Sequence, residues 1–429
     1  MSDSLPPTPP SRAPNDDERR FETISSPCEW IEDYHPGGYH PYKILRKLGD
    51  CSFSTVWLAR DLKNSTYVAL KILVSEISES TRELQILRYI TKEAPDDGNR
   101  YITQLLDEFQ HLGPNGVHTC LVFEHMGPSV NSMVEELPQF KPRRRGMKVR
   151  YPPWMAKRIL KQALEGLTFL HKHGIAHGDF QPGNMLFALD NIDAKPEEEL
   201  RQEENEKTES TSPPVKRLDG KKDLWTPRYL YNAQPLTPFT PYEEGFTIKL
   251  SDMGGAYFFT DPPNKPVTPT GLRAPELILA ETGAAHDNKT LDIWSFGCLV
   301  FELMTDQPLC CVPGSDFEDD EHLLVLTERL GALPNALFEQ WKTASRYFTP
   351  DKKLFNSALG GVKEGEEPLI LEERSMEESF DEAGPEIDEE EARKVKMLIR
   401  RILQYDPAKR PSTADILRDP WFSESNLPL

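Results

Sequence analysis

The stretch His177-Gly178-Asp179-Phe180-Gln181-Pro182-Gly183-Asn184 limits the possible folds of this chain more than any other, because of what precedes and follows it. Upstream, WMAKRILKQALEGLTFLHKHG (154–174) has helical apolar periodicity and ends in His, Lys and Gly, the composition of a helix C-terminus. Downstream, FTIKLSD reads as a strand that delivers Asp252 at the head of a D-x-G. Ala274-Pro275-Glu276 follows, then Asp292-Ile293-Trp294-Ser295-Phe296-Gly297 in an apolar helix, then Arg410. Each motif alone is common. In this order, H-x-D-x₄-N and then D-x-G require a fold that carries separate loops to one place.

That requirement suits phosphoryl transfer, which asks a protein for positioning and charge neutralisation more than for covalent chemistry. Asp179 is the candidate carboxylate to accept or orient a substrate hydroxyl, and Asn184 and Asp252 are candidate oxygen ligands for Mg²⁺. Lys71, in VALKIL on the third predicted strand, has apolar neighbours and is the candidate to reach the phosphates of ATP. Glu83 shares a predicted helix face with Leu87 and Ile90 and is the expected partner of Lys71, with Glu79 as the fallback. The phosphate cover is weaker. LGDCSFSTVWLA (48–59) reads as a hairpin with one glycine, Gly49; Cys51 and Ser54 stand where two more are expected. A side chain where close backbone approach is wanted costs about 1 kcal/mol.

Residues 1–30 are rich in Pro, Ser, Asp and Arg and are expected to be a disordered tail. A β-rich lobe is expected over 38–125 and a helical one over 126–422. The helical lobe is interrupted by an irregular insertion at about 190–245 and an acidic loop at about 360–391. Seventy acidic side chains against 50 basic ones, a formal net charge of −20, argue against direct nucleic-acid binding and suit a basic partner. No run approaches the roughly 18–20 apolar residues of a membrane span. The N-terminus lacks the apolar core of a signal peptide, and six cysteines form no CxxC pair. The expected location is cytoplasm and nucleus, and the expected state a monomer.

The order of motifs resembles the eukaryotic protein kinase family from about Tyr39 to Phe422. In detail the chain is similar to the SR-protein kinases: in GGYHPYKI before the first strand, in the LG-x-x-x-FSTVWLA loop, in the long insertion after the catalytic loop, and in DDEHLLVLTERLGALP (319–334). The resemblance implies a two-lobed α+β fold with a small antiparallel β-rich N-lobe and a larger, mainly helical C-lobe. It implies a serine/threonine kinase that uses ATP and Mg²⁺ on Arg/Ser-rich proteins such as splicing factors. Leu48, Gly49, Asp50, Cys51, Ser52, Phe53, Ser54 and Val56 would then cover the nucleotide with Ala69 and Lys71. Glu124 and Met126 would supply hinge backbone, with Phe123 behind the adenine. Glu276 and Arg410 would form a buried ion pair. Glu321 and Glu328 would dock arginine-rich substrate, with field added by Asp316, Glu318, Asp319 and Asp320.

Three departures bear on activity. Gly178 stands where many kinases have arginine, so activity is expected without an activating phosphate on 252–276. Met253 replaces the usual Phe or Leu after the metal-binding Asp. Gln181 stands where lysine is usual beside the transferring phosphoryl; losing one transition-state contact of this kind slows a reaction by roughly 10²–10³. With Lys71, Asp179 and both candidate metal ligands, Asn184 and Asp252, in place, the expectation is a working but slow kinase; the alternative is a binding shell that holds nucleotide or basic peptides without turnover. Thr226, Thr237 and Thr240 each precede proline and are candidate regulated sites.

Overall fold

Strand-forming sequence rich in β-branched and aromatic residues builds the smaller of two units, residues 1–93, 103–128 and 187–246, in the computed structural model of the chain. Its strands are Arg46–Cys51 (β1), Ser54–Asp61 (β2), Thr66–Leu73 (β3), Leu105–Gly113 (β4) and Gly116–Phe123 (β5). They form one antiparallel sheet in the order β1-β2-β3-β5-β4. The helix Arg82–Glu93 (α1) buries Ile86, Leu87 and Ile90, an i, i+1, i+4 stripe. The structure describes residues 19–423 except 23, 25–27, 40–44, 79–80, 94–96, 143–146, 148, 204–209, 265–266, 280–287, 312–315, 363–364, 366 and 371–373. The expectations for residues 1–18, for Glu79 and for the HPYKI end (40–44) of GGYHPYKI lie outside these.

The sequence reading passes over β4. It is an edge strand with Leu106, Phe109 and Leu112 all exposed, so it carries no clean in–out alternation. The disordered tail also needs correction. Phe21 is 2% exposed and joins a core of Ile31, Tyr34, Tyr39, Val74 and Leu230. Arg20 is buried against Glu32, with its Nε 3.0 Å from Oε2. The insertion belongs to this unit and is not slack chain: Ile192, Leu200 and Leu236 pack with Leu45, Leu58 and Tyr67. A few large apolar residues spaced through charged sequence suffice for this, and mean composition hides them. Within it, Thr240 is 5% exposed and donates its hydroxyl to Leu236 O at 2.9 Å, which removes it as an accessible modification site.

The larger unit, residues 94–102, 129–186 and 247–429, is helical. After the short helix Val130–Glu136 (α2) comes Pro153–Lys172 (α3), which buries Ala156, Ile159, Leu160, Ala163, Leu164, Leu167 and Leu170 completely. The helix Asn288–Thr305 is buried nearly all round, as its apolar sequence requires. The expected acidic loop at 360–391 contains the helix Met376–Ala383. A Ser375/Glu378 capping box starts it, and Met376, Phe380 and Ala383 at i, i+4 and i+7 bury its face. Acid density obscured that spacing. Among the described residues no helix is long and apolar enough to cross a membrane.

Candidate active site

In the smaller unit β3 sets Lys71 between Val56 of β2 and Leu121 of β5. Its Nζ lies 2.6 Å from Glu83 Oε1, and both side chains are less than a tenth exposed. An ammonium in such surroundings needs its carboxylate, because a lone buried charge is several kcal/mol less favourable. The β1–β2 hairpin turns at Ser52 and Phe53 after pairing Gly49 with Val56, Asp50 with Thr55 and Cys51 with Ser54. Phe53 is exposed at the tip, while Ser54 is buried. A Cβ at Gly49 would meet nothing within 4 Å, so the fold itself does not require glycine there. Leu48 is half-buried against Leu45, Leu58 and Tyr67. Ala69 and Met126 are buried. Glu124 is tied to Gln104 twice: its Oε1 accepts from Gln104 N at 2.9 Å, and its N–H donates to Gln104 O at 3.3 Å.

In the larger unit Asp179 is gripped by two amides. Gln181 Nε2 donates to Oδ1 at 2.7 Å, and Asn184 Nδ2 donates to Oδ2 at 2.8 Å and to the Asp179 carbonyl at 2.9 Å. Burial raises the Asp179 carboxyl above the usual range; nearby His177 and the two amides pull it down, and the charge of Asp252 raises it again. The loop is braced from below by Asp292, which accepts from the backbone N–H groups of His177 and Gly178 and contacts His171 Nε2, each at 2.9 Å. The sequence reading names Asp292 only as the head of the D-I-W-S-F-G motif and does not assign it this positioning role. Thr268 was missed too: its hydroxyl donates to Gly178 O at 2.6 Å.

Gly178 and Gly255 explain how the two motifs meet. Gly178 has φ +73°, and a Cβ there would lie 2.2 Å from Gly255 O. A Cβ on Gly255 would lie 2.9 Å from the Cβ of Asp179. The absence of arginine at 178 is therefore built into the backbone, which is left-handed there and in contact with its neighbour. Asp252 has φ 56° and ψ 77° and accepts from Gly254 N–H at 3.3 Å. A left-handed aspartate is a strained conformer of the kind held at functional positions.

The acidic helix Glu318–Leu330 needs one correction. Asp320 is buried and bonded to Trp341 Nε1 at 2.7 Å, to Tyr347 Oη at 2.8 Å and to Thr343 Oγ1, so it is a structural anchor whose carboxylate is not presented at the surface. Glu328 already holds Arg329 at 3.0 Å and the Arg374 N–H at 3.0 Å. Oε2 of Glu321 is buried without a hydrogen-bond partner among the described residues. Arg410 and Glu276 form a buried two-pronged pair at 2.6 and 2.8 Å.

The protein kinase domain family matches residues 42–195 and 240–422. A solved kinase-domain crystal structure superposes with a TM-score of 0.54 at 24% identity, covering 92% of this chain and 98% of that one, which shows the fold. The serine/threonine-protein kinase SRPK of Physarum polycephalum is 31% identical over 94% of this chain and 93% of its own length. Protein kinase dsk1 of Schizosaccharomyces pombe is 27% identical over 95% of this chain and 87% of its own. A match of that breadth, on a chain whose lysine, catalytic-loop and D-x-G motifs are all present, makes this chain a member of the protein kinase family in its SR-protein kinase branch, a serine/threonine kinase that uses ATP and a divalent metal.

Proposed function

We propose that the chain transfers the γ-phosphoryl of ATP to serine in Arg/Ser-rich proteins, with Asp179 as the base. The seryl oxygen forms the new bond to phosphorus, the bond from the γ-phosphorus to the bridging oxygen breaks, ADP leaves, and the hydroxyl proton passes to Asp179. The observation that carries this reading is the grip of Gln181 and Asn184 on both oxygens of Asp179, which fixes a carboxylate that burial has made more basic. Lys71, held by Glu83, would take the α- and β-phosphates. Asn184 Oδ1 and the Asp252 carboxylate are hard oxygen donors that fit Mg²⁺, which when bound neutralises phosphate charge. That the fold leaves Gly49 unconstrained supports close approach by a ligand there.

The acidic chain and the carboxylates in the first turn of the helix Glu318–Leu330 support an arginine-rich substrate, since guanidinium groups pair with carboxylates in two-pronged geometry. Glu328, already paired with Arg329, would have to share its carboxylate with a substrate guanidinium. We place the kinase in cytoplasm and nucleus as a monomer. The test is labelled ATP, Mg²⁺ and an Arg-Ser repeat peptide with wild type and Asp179→Asn. Transfer that disappears in the variant supports the proposal. Equal background from both ends it, and equal use of a peptide without arginine removes the substrate assignment alone.

A further inference from the structure

We infer that the segment ahead of β1, residues 28–39, positions the nucleotide loop, with Tyr39 as the positioning residue; this rests on the reading of residues 48–54 as phosphate cover. Tyr39 is 1% exposed, and its hydroxyl reaches Cys51 O at 2.8 Å and Ser52 O at 3.1 Å, the two carbonyls at the hairpin tip. In a planar trans peptide the C=O and the next N–H point in opposite directions. Fixing the carbonyls of Cys51 and Ser52 toward Tyr39 therefore turns the N–H groups of Ser52 and Phe53 away from it. Those N–H groups are the kind of donor that a phosphate cover uses.

A second tie holds the base of the same hairpin. Lys47 is fully buried, with Nζ bonded to Glu29 and 2.8 Å from Asp50 Oδ2. Glu29 also accepts the hydroxyl of Tyr34, and Asn115 Nδ2 holds Tyr39 O at 2.6 Å. Cys28, Glu29 and Trp30 share a surface cleft with Asp50, Cys51 and Ser52. A buried ammonium shared between two carboxylates is a stiff arrangement, unfavourable unless all three groups stay together. Glycine-rich covers obtain close approach from a pliant backbone. Here Cys51 and Ser54 stand where two glycines are expected, and side-chain ties from the preceding segment set the loop's path.

The experiment uses the full chain carrying Tyr39→Phe, with Glu29→Gln as a second variant that decides if the first does not fold. The KM for ATP should rise roughly fivefold, the loss of one neutral hydrogen bond, with kcat and the KM for an Arg-Ser peptide within twofold. Hydrogen exchange at 50–54 should speed up while α1 is unchanged. An unchanged ATP KM with unchanged loop exchange overturns the inference, as does an equal loss in kcat and in both KM values. Protection of the 49–54 amides by ATP in the wild type tests the parent reading. No protection overturns both; protection without any effect of the variants overturns this inference alone.

Discussion

Gln181 Nε2 donates to Asp179 Oδ1 at 2.7 Å, so the residue standing where lysine is usual is bonded to the proposed base. A neutral amide can hold the carboxylate but brings no positive charge to a transferring phosphoryl. Gln181→Lys is therefore expected to raise kcat by roughly 10- to 100-fold with little change in the KM for ATP. Steady-state kinetics on an Arg-Ser peptide check this, and a lysine variant no faster than wild type refutes it.

Acid should stop catalysis earlier than an ordinary aspartate would. Burial and Asp252 hold the Asp179 carboxyl above its usual range, and the base acts only when ionised, so kcat/KM falls as pH drops through that raised value. Gln181→Leu removes a donor that favours the charged form, and the acid limb should move to higher pH. Gln181→Lys should move it lower. Profiles of rate against pH for the three proteins measure both directions.

Arg410 is completely buried and reaches Glu276 with two nitrogens, Thr290 O at 3.0 Å and Gln404 O at 2.9 Å. Arg410→Ala leaves a buried carboxylate alone and should cost about 3–5 kcal/mol. Urea unfolding gives the figure; a loss below about 1 kcal/mol would mean that the pair is relieved by water.

Burial holds the His322 imidazole down at about 4, while its Nε2 contacts Arg273 O at 3.0 Å. The unfolded chain binds that proton near 6.5, the folded chain only near 4, so stability is complete above about 6.5 and declines as pH falls toward 4. The decline from this one group approaches about 3 kcal/mol. His322→Gln should flatten the dependence of the thermal midpoint on pH across that window.

The parts of the site legible in the sequence were those carried by short motifs. Lys71 and Glu83, twelve positions apart, meet because β3 and α1 are both strongly patterned. Asp179 and Asn184 meet because five residues of one tight loop leave few alternatives. Thr268 escaped because its partner is a backbone carbonyl on a distant loop, which no side-chain pattern marks; Asp292 was named only within its D-I-W-S-F-G motif, and its hold on His171 and on the His177 and Gly178 N–H groups is long-range. Asp320 was misread for the opposite reason: among neighbouring acids it looks solvated, yet Trp341, Thr343 and Tyr347, more than twenty residues on, enclose it. In the fold, edge strand β4 and the helix at 376–383 were lost to local composition, exposed apolar residues in one and dense acid in the other.

Ile192, Leu200 and Leu236 have a practical consequence for anyone shortening this kinase. A chain joined directly from Ala188 to Phe246 would leave Leu58 and Tyr67 wet along one flank of the strand-built unit. Its expected defect is self-association on expression, with catalysis never reached, so the insertion here behaves as a wall.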